Sequence, residues 1–111
     1  MHQSQSVLTK DEVMAIMANA LLNNRVNNIN SLKENVKGVL RNRGIIGPVS
    51  ESRGGGTVHY DRRISNKDAL LINECVYDLL YGRVITPGID EANLELPWIH
   101  VSNEEKLRTY L

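Results

Sequence analysis

Lys33, Lys37 and Arg41 recur at intervals of four residues, which on a helix places their charges on one face. Arg43 extends the charge at the end of that helix. Part of such a pattern has a local cause, because cations late in a helix complement its dipole. The chemistry of a row of ammonium and guanidinium groups is contact with phosphate oxygens. Such contacts give affinity and salt dependence without a choice of base sequence. Arg53, Arg62 and Arg63 add three guanidinium groups in the stretch that follows. That stretch includes Gly54-Gly55-Gly56, suited to a turn or a basic arm that follows a phosphate backbone. It is not a nucleotide-cradling loop, since no Gly-Lys-Ser or Gly-Lys-Thr follows the glycines.

The formal net charge is zero, but the zero hides a segregation. Residues 33 to 67 hold eight Lys and Arg against three acids, and residues 68 to 111 hold three against eight. A chain with a basic middle and an acidic end can present a basic face to nucleic acid.

Other reactive types are poorly placed for catalysis. Cys75 falls on an apolar helix face, whereas reactive thiols sit in exposed, electropositive settings. His2, His59 and His100 share no ligand spacing with Cys75 or with each other. His59 and Asp61 are too close in an irregular stretch to read as a dyad, and His100 reads as a strand residue on the surface. Asp90, Glu91 and Glu95 lack the alternating spacing and glycine of a calcium loop. The expectation is a protein without catalytic residues, metal or cofactor.

The elements that must position these residues follow from caps and periodicity. Thr9 with Glu12 has the form of a capping box, and Val13, Ile16, Met17, Ala20 and Leu21 follow as one stripe. The spacing predicts a first helix from Lys10 to Leu22, broken by the asparagines at 23, 24, 27 and 28. Ser31 with Glu34 suggests a second box, with Leu32, Val36, Val39 and Leu40 as the buried stripe and Gly44 as the stop. Ile45-Ile46 and Val58 to Tyr60 are candidate short strands around the glycine turn, the first halted by Gly47-Pro48. Ser65 with Asp68 caps a third helix whose inward face is Ala69, Ile72, Cys75, Val76, Leu79 and Leu80, widened by Leu71. Its outward residues, Asn73, Glu74, Asp78 and Tyr81, would repel phosphate or ignore it. Gly82 ends this helix. A hairpin of Arg83 to Thr86 and Trp98 to Val101 follows, with an acidic tip between Pro87-Gly88 and Pro97. Residues 103 to 111 read as a short turn or helix with Leu107 and Leu111 packing back.

The apolar helix ending Leu-Leu-Tyr-Gly, then Arg-Val-Ile-Thr-Pro-Gly and Leu-Pro-Trp-Ile-His-Val, resembles the closing half of small prokaryotic winged helix-turn-helix modules. Modules of this kind occur in transcription regulators and in proteins of mobile elements and defence. The likeness covers residues 66 to 102 and extends only as topology to residues 9 to 44. The chain departs from it in the twenty residues, 45 to 64, that separate the second and third helices, and in its acidic wing tip. The resemblance implies an α+β fold: a three-helix winged-helix-like domain with a small antiparallel β-sheet and a C-terminal wing hairpin. It also implies DNA binding, in which Lys33, Lys37, Arg41, Arg43, Arg53, Arg62 and Arg63 meet phosphates.

Length and composition set the frame. A chain of 111 residues, 41% apolar, supports one modest core, here of Leu, Ile, Val, Met and Ala because there is no Phe and only one Trp. A single cysteine excludes an internal disulfide and suits a reducing compartment. No run approaches the ~18 apolar residues of a membrane span. The first twelve residues lack the basic start and apolar centre of a secretory signal. We therefore expect a cytoplasmic protein in which residues 1 to 8 form a flexible tail and 9 to 111 a single domain. The leading expectation is non-enzymatic DNA binding, with a role in transcription regulation. The alternative is a protein-interaction or dimerisation module that meets a protein partner or a second copy through Tyr77, Tyr81 and Trp98.

Overall fold

In the computed structural model, which describes residues 8 to 111, the chain is α+β, with helices and two separate antiparallel hairpins in the order α1 (Lys10–Asn23), α2 (Ile29–Asn42), β1 (Gly47–Arg53), β2 (Gly56–Arg62), α3 (Asn66–Tyr81), β3 (Ile85–Pro87), β4 (Ile99–Val101) and α4 (Glu104–Arg108). The expected tail at residues 1 to 7 lies outside the described residues. Leu8 does not belong to a tail, because it is buried in the core ahead of α1.

The caps explain where the helices begin. Thr9 Oγ1 accepts from the Glu12 amide while the Glu12 carboxylate accepts from the Thr9 amide, so the box expected at α1 forms in full. The second helix departs from expectation. Its N-cap is Asn28, whose side chain accepts from the Asn30 amide at 2.8 Å, and Ser31 and Glu34 lie inside the helix. The asparagine run that breaks α1 thus also starts α2, because a short amide at the boundary can replace a missing backbone partner. Gly44, at φ +75°, stops α2 as expected, and the Ile45 amide reaches back to the Leu40 carbonyl. Ser65 caps α3 by accepting from the Asp68 amide.

Leu32, Val36 and Leu40 of α2 meet Val13, Met17 and Leu21 of α1 and Ile72, Cys75, Val76 and Leu79 of α3 in one core. Val84 and Ile85 enter it from the start of the second hairpin, Ile99 from β4 and Leu107 from α4. Met14 and Ala18 also belong to it, so α1 buries more than one stripe. Three expected core residues are outside: Val39 of α2 is only half-buried and lines a surface groove with Ser31 and Glu34, Ala69 is exposed near the start of α3, and Leu111 is exposed beyond α4.

The expected single small sheet is instead two hairpins that share no strand. Ile45 and Ile46 are not a strand. Both pack against the core, Ile46 as a buried member of it, and the ladder begins after them at Gly47. From there β1 and β2 pair through seven registers, Gly47 with Arg62 to Arg53 with Gly56. Only Gly54 and Gly55 form the turn, narrower than the expected loop, with Gly54 at φ +55° in the first central position. Every residue of β2 is exposed, and β1 and β2 pack on each other far more than on anything else.

The second hairpin is shorter than expected, with Ile85 paired to Val101 and Pro87 to Ile99. Trp98 precedes β4 and bridges to Asn28 instead. The Ile29 amide donates to the Pro97 carbonyl and the Ile99 amide to the Asn27 carbonyl. The α1–α2 connection therefore lies along the outer edge of the returning strand. No helix of the described residues is long and apolar enough to cross a membrane.

Candidate nucleic-acid interface

The seven basic residues singled out by spacing divide by what they touch. Lys33 Nζ donates to Asn73 Oδ1 of α3 at 3.2 Å. Lys37 pairs with Glu34 one turn earlier at 3.4 Å. Arg43 donates to Glu12 of α1 at 3.2 Å, and Glu12 is held below the usual carboxylate range first by the Thr9 amide and only then by Arg43. These three cations spend part of their donor capacity on the protein itself. Such exposed contacts are worth little to stability, but they draw Lys33 toward α3, Arg43 toward α1 and Lys37 back along its own helix.

Arg41, Arg62 and Arg63 are different. Each is exposed, and none forms an ion pair with a described residue. Arg41 and Arg62 come together at the root of the β1–β2 ribbon, and Arg63 follows just beyond the ladder. Gly47 is directly opposite Arg62 in the ladder, so positions 47 and 62 point to the same face. A Cβ built on Gly47 would lie 4.0 Å from Cγ of Arg41. Arg41 from α2 therefore crosses the glycine on the face to which Arg62 projects. Gly47 is at φ +108°, a conformation that L side chains rarely adopt. The glycine read from sequence as a strand stop is thus the residue that joins ribbon to helix. Nothing in its neighbours marks that role. Arg53 ends β1 opposite Gly56 at the far end of the ribbon, away from this root.

The ribbon itself has two unlike faces. Val49, Glu51, Val58 and Tyr60 share the face of Arg62, with Tyr60 Oη donating to Glu51 at 2.8 Å. Ser50, Ser52, Thr57 and His59 share the other, where Ser50 Oγ and His59 Nδ1 are 2.8 Å apart. The outer acids of α3 are answered from α1: Lys10 lies 2.5 Å from Asp78 and 3.5 Å from Glu74, and Asp78 first among them holds its ammonium above the ordinary lysine range.

The residues set aside as catalytic are in structural use. Cys75 is buried, and burial pushes its thiol up to about 11. His100 uses Nδ1 to reach the Gly88 carbonyl at 2.7 Å, which requires the proton on that nitrogen. Asp90 Oδ1 accepts from the amides of Ala92 and Asn93 and from Asn93 Nδ2, fixing the tip. Among the described residues no three His, Cys, Asp or Glu side chains gather into a metal site.

The three interface candidates do not form one patch. Tyr77 and Tyr81 stack at 6.0 Å between centroids and line an apolar cleft of about 290 Å³ with Leu80, Ile85 and Pro87. Trp98 does not line it, and sits half-buried by Asn28. Arg83, read from sequence only as the start of the hairpin, is the cleft's one charged lining residue.

Compared with protein-family models, with curated proteins and with solved structures, the chain matches none of them significantly.

Proposed function

We propose that this is a non-enzymatic, winged-helix-like DNA-binding domain whose phosphate-binding site is the root of the β1–β2 ribbon. The observation that carries this reading is the shared face of Arg41 and Arg62 at the root of a two-stranded ribbon, with Arg63 next in the chain, all three exposed and without ion pairs to described residues. A two-stranded ribbon has the cross-section that a DNA major groove admits, and cations at its root would then lie along the flanking phosphates. Support for the winged-helix likeness comes from the chain order of three core helices closed by a hairpin, and from the α1–α2 connection bridging to the returning strand at Trp98. The departure lies in the ribbon, which occupies the position of a tight turn between the second and third helices.

The reading sharpens the expectation drawn from spacing. Arg41, Arg62 and Arg63 carry most of the electrostatic contact, while Lys33, Lys37 and Arg43 contribute less because protein groups already engage them. The test is duplex binding by anisotropy across a salt series. For the wild type, log K should fall with log salt by about 0.9 per phosphate contact. Changing Arg41, Arg62 and Arg63 together to Glu should abolish binding with the helical circular dichroism retained, and Lys33→Glu with Lys37→Glu should weaken it less. An unbound wild type at low salt, or a triple variant that binds like wild type, overturns the reading.

A further inference from the structure

The hairpin that closes the core carries two exposed features that answer one another. One is the cleft between the end of α3 and β3. It is lined by Tyr77, Leu80, Tyr81, Ile85 and Pro87, and its only charge is the guanidinium of Arg83. Tyr81 is 81% exposed, an unusual position for a large aromatic side chain at the mouth of an apolar cleft. The cleft is at the small end of ligand sites, which run from roughly 300 to 1,000 Å³. It suits one or two aliphatic side chains better than a cofactor.

The other feature is the tip of the same hairpin. Leu94 is 65% exposed and Leu96 is 47% exposed, on either side of Glu95. Yet the backbone of this tip is tightly held. A Cβ on Gly88 would come within 3.1 Å of the Leu94 carbonyl oxygen and 3.2 Å of its Cα, so the tip lies flat on the glycine. The three bonds to Asp90 Oδ1 and the bond from the Trp98 amide to the Glu95 carbonyl fix the rest. Two leucines are therefore displayed from a pre-formed loop, which lowers the ordering cost of docking them. No tip residue lines the cleft of its own chain. Neither Arg83 nor Glu95 has an ion pair with a described residue.

We propose that a second copy of this chain occupies the cleft: Leu94 and Leu96 of each tip dock on the Tyr77–Tyr81 cleft of the other copy, with Glu95 facing Arg83. The apolar cleft with a single cation and the leucine-bearing tip with an anion are complementary in both polarity and charge. In this arrangement each copy gives one tip and receives one, so the contact is isologous and closes as a two-fold dimer, whereas a head-to-tail contact would add copies without closing. The inference is independent of the nucleic-acid reading, since it uses neither the ribbon nor its root.

Sedimentation over a concentration range, without nucleic acid, tests it. Wild type should show a monomer–dimer equilibrium. Arg83→Glu and Glu95→Arg should each weaken the dimer by about a hundredfold, since like charges facing across an interface cost several kcal/mol. Mixing the two variants should restore it, because both contacts of the mixed dimer then pair opposite charges, and the double variant should self-associate. Leu94→Ser should weaken the dimer without altering the helical signal. A wild type monomeric up to about 1 mM overturns the proposal. Single variants that dimerise like wild type, or a mixture that stays monomeric, do so too. Duplex binding by a monomeric wild type would sink this inference and leave the proposed function standing.

Discussion

The helical body and the β1–β2 ribbon are built on opposite principles. The body places side chains from all four helices and the second hairpin in one core, where Met17, Leu32, Leu40, Leu79, Ile85, Ile99 and Leu107 are fully buried. The ribbon buries almost nothing: β2 is exposed along its whole length, and Val58 and Tyr60 remain on the surface. An isolated two-stranded hairpin is marginal in water. The ribbon is held by its own ladder and by Ile46 and Ile64, which flank its root and pack into the body, and we expect it to add little to the stability of that body. A segment this costly in ordering entropy, and this poor in burial, is better explained by what it reaches than by what it supports.

The contrast can be broken most sharply in the core. Leu79→Ala removes a fully buried side chain and should destabilise by about 2–5 kcal/mol. Val58→Ala on the ribbon, where the side chain is 39% exposed, should cost less than about 0.5 kcal/mol. Urea unfolding of the two variants reads both values. Equal losses would mean that the ribbon packs on the body in solution.

Next come the glycines of the two hairpin tips. Gly88→Ala meets both an unfavourable φ of +104° and the Leu94 backbone, and should cost about 1–3 kcal/mol. Gly55→Ala, in the ribbon turn with nothing within 4 Å of the new methyl group, should stay within about 0.5 kcal/mol. Thermal melts of the pair separate a tip locked against the body from a tip that touches only solvent. A neutral Gly88→Ala would show that the tip is free to move, and would weaken the case for a pre-formed dimer contact.

The largest change should have a small effect. Replacing residues 49 to 60 by Asn-Gly, a two-residue hairpin turn, should leave the helical circular dichroism intact and shift stability by less than about 1 kcal/mol. A collapse of the fold on excision would show that the ribbon is part of the body. If the excised protein keeps its fold but loses duplex affinity, the division of labour between the two regions holds.

The helices were legible because their signals are local. Thr9 with Glu12, Ser65 with Asp68, and the stop at Gly44 act within one turn of the backbone, so cap and periodicity fix the element together. The inward faces of α2 and α3 were also legible, apart from Val39 and Ala69, because 3.6-residue spacing marks the stripe that any partner must cover. The failures share a cause. Ser31 with Glu34 carries the same pattern as a true capping box, but Asn28 is tied to the returning hairpin at Trp98 and starts the helix earlier. Ile45 and Ile46 read as a strand by composition, whereas the core claims both side chains and the ladder starts beyond them.

What the sequence determined by itself was the set of helices, the single cysteine in an apolar face and the segregation of charge, all properties of near neighbours or of composition. Only the tertiary structure decided which charges are available. Lys33, Lys37 and Arg43 find partners three to forty positions away, while Arg41 and Arg62, twenty-one positions apart, share a face across Gly47. Pairing depends on which helices pack together and where a glycine turns the chain, and spacing along one helix cannot encode either.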